Sequence, residues 1–293
     1  MSDWAAVVVN YNSGALLERC VASVLADHSA GPVELVVVDN DSSDDSLATL
    51  ARTHPEIVVL RPGKNLGYSR AANLGIAATR ASLAAVLNPD LELAPGSAAA
   101  LADRFAADAG LGAAGPRLTN PDGSTYPSAR SMPRTSDAVV HGLLGRVRPS
   151  NPASRRYRQL DADPDVARPV DWVSGAAIWL RRTALDAVGG WDEGYFMYVE
   201  DVDLCWRLRR AGWGIAYEPG GQALHVQGVS TARHPYRMII EHHRSLLRFA
   251  RKRFRGPRSV MLVFAGPYLA FRAGVELVTH ALGGRPDAPR VGG

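Results

Sequence analysis

Cysteine and lysine are nearly missing from these 293 residues. The only cysteines are Cys20 and Cys205, and of 33 basic residues only Lys64 and Lys252 are lysines. Each cysteine sits in an apolar helical pattern, so no zinc cluster or disulfide framework is expected, only buried thiols in a reducing compartment. No G-x-G-x-x-G follows the first apolar run, and G-x-x-x-x-G-K-[ST] is found nowhere, which argues against a dinucleotide oxidoreductase and a P-loop NTPase. The N-terminus MSDWAAVVVN lacks a basic region followed by a long apolar core, so no secretory signal is expected. A clean membrane-spanning helix is also lacking: the best stretch, 259–282, contains Pro267, Arg272 and Glu276.

What is present is an ordinary soluble balance, 46% hydrophobic and 21% charged, in a chain long for one domain and short for two large ones. The net charge of +4 is uneven. Residues 233–258 hold nine Arg or Lys against the single Glu241, which leaves the remainder at −4. An acidic body without a recognition fold argues against nucleic acid.

Short apolar runs at 5–10, 33–39, 56–60 and 83–87 alternate with helical spacing at 15–26, at 46–52 and from 67 to 78. This pattern indicates an α/β fold with a mostly parallel sheet covered on both faces. A helix at 95–107 and a strand at 111–115 follow. The stretch 120–169 is rich in Pro, Arg and Ser and reads as a long, partly mobile excursion. Strand character returns at 170–180, where small residues at 174–177 permit close backbone approach to a ligand. Two more strands are expected at 213–217 and 222–226. Polar residues repeatedly follow strand ends: 10–12, 39–44 and 88–90. Turn chemistry alone explains the residue types, but their recurrence at one sheet edge is where open α/β sheets bind ligands.

Residues 189–209, GGWDEGYFMYVEDVDLCWRLR, crowd Asp192, Glu193, Glu200, Asp201 and Asp203 among aromatic residues. A single acid at a helix start would only meet the free N–H groups and the dipole. Three acids within four residues repel one another, so a cation, a general base or a bound hydroxyl is expected there. Further on, 236–254 repeats apolar positions at helical spacing beside Arg237, Arg244, Arg248 and Arg251. Two readings stay open: amphipathic helices in a membrane interface, or a helical cap with a solvated arginine face.

Taken in order, VVVNYN, VVVDNDSSDDS, NLGYSRAANLGI, LNPDLEL, SGAAIWLRR, the acidic stretch and H-x-x-G-x-S resemble family 2 glycosyltransferases of the GT-A fold. The Asn-Pro-Asp triplet and the Glu-Asp-x-Asp run are most similar to the bacterial rhamnosyltransferase branch, over about residues 5–232. The resemblance implies a catalytic domain at 1–232, with a nucleotide-binding half at 1–115 and an acceptor half at 116–232, the latter crossed by the 120–169 excursion. The basic helical tail would be 233–293. It implies donor-binding roles for Asn10, Asn12, Asp39, Asn40, Arg70, Asn73, Asn88 and Asp90, and acceptor-binding roles for Trp191, Glu200 and Asp203. Asp201 matches the family's general base. Asp90 and His225 would hold Mg²⁺ or Mn²⁺, although Asn88 replaces the first acid of the usual D-x-D. The implied reaction is inverting transfer of L-rhamnose from dTDP-β-L-rhamnose to polyprenyl-diphospho-N-acetylglucosamine, at the inner face of the plasma membrane, in cell-wall or polysaccharide linker synthesis. A galactofuranosyl- or other hexosyltransferase, or a non-catalytic nucleotide-sugar binder, remains the alternative.

Overall fold

The computed structural model describes residues 4–132, 151–226 and 235–282. Strand β1 (Trp4–Asn10) is buried along its whole length, so it needs neighbours on both edges and cover on both faces. It lies between two parallel partners, β2 (Val33–Asp39) and β4 (Leu83–Leu87), with β3 (Val58–Leu60) outside β2. The alternation of side chains divides the core in two. Val7, Val9, Val36 and Val38 pack with Ala71, Ala72 and Ile76 of α3 (Tyr68–Ala77) on one face. On the other, Ala6, Val8, Leu35 and Val37 pack with Leu17, Cys20, Val21 and Val24 of α1 (Leu16–Ala26). Helix α2 (Ser46–Thr53) completes this half. Both cysteines are buried free thiols, each pushed up to about 12 by burial.

Beyond β4 the sheet becomes mixed. β11 (Ala177–Arg181) enters antiparallel between β4 and β6 (Leu111–Thr119). β12 (Gly214–His225) runs parallel to β6, and β5 (Leu91–Leu93) closes the edge antiparallel to β12. The two strands expected at 213–217 and 222–226 are therefore one. Pro219, Gly220 and Gly221 make an irregularity in the ladder instead of a turn, because β6 offers pairing on both sides of it. Helix α4 (Ser97–Ala107) covers β12 through Leu101, which packs in the same core as Ala223.

Part of the 120–169 stretch is regular. β7 (Thr125–Tyr126) pairs with β6 and β9 (Arg168–Pro169) with β12. β8 (Ala129–Arg130) and β10 (Trp172–Val173) form a separate two-stranded ribbon, and α5 (Pro152–Arg158) packs nearby. Residues 133–150 of that stretch lie outside the described residues. After β11 come α6 (Arg182–Ala187) and α7 (Glu200–Arg210).

The basic segment forms α8 (Pro235–Arg253), whose Met238 and Phe249 belong to the same core as α7. Three polar ties reinforce that contact: Lys252 Nζ to Asp203 at 2.7 Å, Arg248 to Asp192 at 2.8 and 2.9 Å, and Ser245 Oγ to the Met197 carbonyl at 2.9 Å. Helix α9 (Met261–Ala281) folds back along α8. Its buried residues are Leu269 and Glu276, with Glu276 paired to Arg272 at 3.1 Å and 4.0 Å from His243 of α8. Val260, Val263, Phe264, Phe271, Val275 and Val278 are exposed, Phe264 and Phe271 by 68% and 67%. At 3.6 residues per turn the five from Val263 to Val278 fall on about a third of the circumference of α9, with Val260 just before its start. Contrary to the sequence expectation, Gly256–Ala281 is helical throughout and long and apolar enough, by length and composition, to cross a membrane.

Gly75 lets α3 lie directly on the sheet, since a Cβ there would stand 2.2 Å from Val7 Cγ1. Gly75→Ala is therefore expected to destabilise by about 1–3 kcal/mol through overpacking, despite alanine's better helix propensity. Thermal unfolding checks this, and adding Val7→Ala should recover part of the loss.

Candidate active site

The parallel register makes Asn10 and Asp39 Cα partners at the ends of β1 and β2. Asn10 Nδ2 donates to Asp39 Oδ1 at 2.9 Å and to Ser42 and Ser46 Oγ at 3.1 Å each, while Asn10 Oδ1 accepts from Ser13 Oγ at 2.5 Å. Asn12, with φ at +51°, accepts from the Ser43 N–H at 2.8 Å and donates its own N–H to Ser42 Oγ at 2.9 Å. Asn40 accepts from the Leu66 N–H at 2.8 Å and donates to the Gly67 carbonyl at 3.2 Å. These three amides thus knit together the loops after β1, β2 and β3. Among the described residues Asp39 Oδ2 accepts only the Ser42 N–H, at 3.2 Å, so the carboxylate keeps spare acceptor capacity at the crevice.

Asp90 follows β4, and the antiparallel pairing of β5 with β12 delivers His225 to it, with the Val226 N–H donating to the Asp90 carbonyl at 2.9 Å. His225 Nε2 lies 3.4 Å from Asp90 Oδ1. Asp90 Oδ1 and His225 Nδ1 are both buried without a hydrogen-bond partner among the described residues. An orphaned buried polar group costs about 1–3 kcal/mol, so this pair fits an added ligand. A carboxylate oxygen and an imidazole nitrogen suit a divalent cation such as Mn²⁺ or Mg²⁺. No group of three or more His, Cys, Asp or Glu stands ready for a metal among the described residues, so phosphate oxygens and water would complete the coordination. The glycine and serine of H-x-x-G-x-S, Gly228 and Ser230, lie outside the described residues.

The small residues before β11 connect this corner to the acidic helix. The Ala176 carbonyl accepts from the Asn88 N–H at 2.8 Å, and the adjacent Gly175 N–H donates to Asp201 Oδ2 at 2.8 Å. A Cβ on Gly175 would come within 3.2 Å of the Asp201 Cβ. Tyr68 Oη donates to the Gly175 carbonyl at 2.5 Å. Its ionisation is opposed first by burial and then by the charges of Glu200, Asp201 and Asp90.

Tyr198 and Val199, immediately before α7, both adopt φ of +68°. Two successive left-handed residues, one of them β-branched, are a costly entry to a helix. The turn brings Glu200 and Asp201 inward, to 7% and 6% exposure. Burial raises the pKa of both. Glu200 is driven well above its ordinary 4.5, with further repulsion from Asp201, and its Oε2 has no partner among the described residues. Asp201 rises from 3.8 but is held back by the Gly175 and Val202 N–H groups and by the charge of Arg130.

The remaining expected residues lie around this centre. Asp203 is two positions on, nearly opposite around the helix, and fully buried. It accepts from Lys252 Nζ at 2.7 Å, Arg207 Nε at 2.7 Å and Tyr195 Oη at 3.2 Å. Trp191 is 1% exposed and packs edge-on to Tyr68. Asn73 clamps its backbone, accepting from the Trp191 N–H and donating to its carbonyl at 2.9 Å each. Arg70 is at the surface beside Glu193, 3.6 Å away. Asp203 and Asn73 thus have bonding partners within the protein, while Asp39, Asp90 and Glu200 retain free acceptor positions.

Sequence reasoning missed Tyr68 and Arg130. Tyr68 had a signal, standing inside NLGYSRAANLGI. Arg130 had none, because in a Pro-, Arg- and Ser-rich stretch it reads as solvated. In the fold it is fully buried, with its guanidinium 4.9 Å from the Trp172 ring centre, 5.7 Å from Tyr157 and 5.9 Å from Tyr126.

The sequence profile of glycosyl transferase family 2 matches residues 5–187. The chain is 40% identical over 261 residues to N-acetylglucosaminyl-diphospho-decaprenol L-rhamnosyltransferase of Mycobacterium tuberculosis, covering 85% of this chain and 84% of that protein. It is 27% identical to low-salt glycan biosynthesis hexosyltransferase Agl10 of Haloferax volcanii, covering 80% and 70%. Among solved structures, mannosyltransferase PcManGT from Pyrobaculum calidifontis, in complex with GDP-Man and Mn²⁺, matches at TM-score 0.56 and 17% identity over 98% of this chain and 77% of that one. GalNAc-T7 with UDP, GalNAc and Mn²⁺ matches at 0.56 and 16% identity over 76% and 44%. At such identities the structural likeness speaks to the fold alone. The profile over most of the chain and the mycobacterial relative together place this protein in glycosyl transferase family 2, as a glycosyltransferase of GT-A fold.

Proposed function

We propose that this glycosyltransferase transfers L-rhamnose from dTDP-β-L-rhamnose to polyprenyl-diphospho-N-acetylglucosamine with inversion, using Asp201 as general base. The observation that carries this reading is the loop at 174–176, bonded to the Asp90 corner through Asn88 and to Asp201 through Gly175. A donor diphosphate at Asp90 and an acceptor hydroxyl at Asp201 would meet across that loop. The sugar and acceptor follow the name of the mycobacterial relative.

Asp39 accepts from the pyrimidine edge of the nucleotide, held in place by Asn10, with Asn12 and Asn40 shaping the pocket. Arg70, Asn73 and Asn88 line the path from nucleotide to sugar. Asp90 and His225 hold a divalent cation that, when bound, stabilises charge on the departing diphosphate in place of a general acid. Asp201 takes the proton from the acceptor hydroxyl as that oxygen attacks the anomeric carbon and the carbon–phosphate-oxygen bond breaks toward dTDP. Gly175 and Val202 aim the carboxylate, and Arg130 favours its ionised form. Glu200 faces the acceptor with its unpartnered oxygen, supported by Trp191 and Asp203 from the core side. The α8–α9 hairpin rests peripherally on the inner membrane face with the exposed apolar stripe of α9 in the interface, which brings the site to a lipid-borne acceptor.

Asp201→Asn is expected to lower turnover by about 10²–10⁴-fold with donor binding kept, and full activity in that variant would rule out the base assignment. Chelation with EDTA should abolish transfer and added Mn²⁺ or Mg²⁺ restore it. A panel of nucleotide sugars should show transfer from dTDP-L-rhamnose, whereas turnover only with a UDP-hexose would favour the galactofuranosyl or other hexosyl alternative. Glu200 also links stability to pH. Its folded pKa is raised, so its contribution is neutral while both states are protonated, turns unfavourable as pH rises above about 4.5, and levels off beyond the folded value. Glu200→Gln should therefore raise Tm at pH 8, by about 1.4 kcal/mol of stability for each pH unit separating the two values, and leave it unchanged near pH 4.

A further inference from the structure

Away from the catalytic centre, a cavity of about 420 Å³ opens between the C-terminal ends of α7 and α8. Trp206, Arg207, Arg210, Lys252 and Arg255 line it, with Val188 at one side. Arg210 is nine positions along α7 from Asp201, about 14 Å at 1.5 Å per residue, so the cavity is not where the acceptor hydroxyl meets the base. Two of its cations are already used: Asp203 binds Arg207 and Lys252, and Asp192 binds Lys252 and Arg248. The other two are not. Arg210 stacks 5.0 Å from the Trp206 ring centre, and neither it nor Arg255 has a carboxylate partner among the described residues. Arg207 Nη2 is buried and likewise lacks an acceptor there. Further positive charge follows in the chain: Arg253, next to Lys252, is held below the ordinary arginine range by burial and by the charge of Arg258.

This arrangement is chemically specific. Several guanidinium forks around a concavity, with excess positive charge and unfilled donors, match a phosphate with its several acceptor oxygens. Position selects the source. Arg255 lies two residues past the end of α8 and directly precedes the 3-10 helix Gly256–Val260, where the exposed apolar stripe leading into α9 begins. We propose that this cavity is a phosphate-binding site that takes the headgroup of an anionic phospholipid, fixing how the α8–α9 hairpin seats the catalytic domain on the membrane. The lipid source rests on the membrane part of the proposed function; the phosphate chemistry stands without it.

The test uses the full chain and vesicles of phosphatidylcholine with or without phosphatidylglycerol. The probe is Arg210→Ser/Arg255→Ser, which breaks no ion pair among the described residues, and the control is Arg244→Ser/Arg251→Ser, which removes equal charge from α8 outside the cavity. At about 1 kcal/mol per basic residue near an anionic surface, the probe should weaken binding to phosphatidylglycerol vesicles tenfold or more, leave binding to neutral vesicles unchanged, and exceed the control. An equal loss in the control would mean a diffuse field and overturn the site. A second arm titrates glycerol 3-phosphate while Trp fluorescence is read, with EDTA present; the change should vanish in Trp206→Phe and in the probe. If the wild-type chain and a Phe264→Glu/Phe271→Glu chain are alike in binding no vesicles, the membrane reading fails. A surviving Trp206 response would then assign the site to soluble phosphate. If the probe matches wild type in both arms, the proposal falls.

Discussion

The buried contact between the Gly175 N–H and the Asp201 carboxylate organises the rest of this molecule. It depends on a residue without a side chain, because the Asp201 Cβ occupies the space a side chain would need. One residue on, the same loop holds Asn88 and so the corner of Asp90. On its other side the Tyr68 hydroxyl binds the Gly175 carbonyl. Three chain segments far apart in sequence are thereby held against one another by backbone polar groups, whose positions are far less adjustable than those of long side chains.

Holding two carboxylates there is costly. Glu200 and Asp201 are adjacent, both nearly sealed from water, and enter through two left-handed residues without the freedom of glycine. Stability for such an arrangement must come from elsewhere in the fold, and α8 supplies part of it. Ser245 bonds the carbonyl just before the strained pair, Lys252 and Arg248 neutralise Asp203 and Asp192, and Phe249 meets Trp206 edge-on at 5.8 Å. Within the expected basic helical tail, α8 shares its core with the helix carrying the acids. Under the proposed membrane seating, attachment and the geometry around the acids would be coupled through one helix.

Helical periodicity sorts the acids. Asp201 begins α7 on the side of the loop at 174–176, and Asp203, rotated from it by about 200°, faces the core of α8. One contiguous acidic run therefore has two settings, the proposed base against the glycine loop and a structural hub bonded to Lys252, Arg207 and Tyr195. A similar division separates Asn73, whose amide is filled by the Trp191 backbone, from Asp39 and Asp90, which keep open acceptor positions.

Much of this was legible in the residues. The apolar runs placed β1, β2 and β4 to within a residue, because a strand buried on both faces leaves an uninterrupted hydrophobic signature. The polar loops at their ends and the acidic crowding before Trp206 pointed to the candidate site. Other features had no local signal. The continuity of β12 through Pro219, Gly220 and Gly221 depends on β6 lying alongside, and the burial of Arg130 depends on three aromatic rings from separate segments. That Asp203 turns inward requires knowing that α8 packs there. Composition and spacing determined which residues could do chemistry and which runs would become strands. Only the tertiary structure decided which of those residues come together, because that choice rests on contacts between segments separated by 26 residues, as for Gly175 and Asp201, to 107, as for Tyr68 and Gly175.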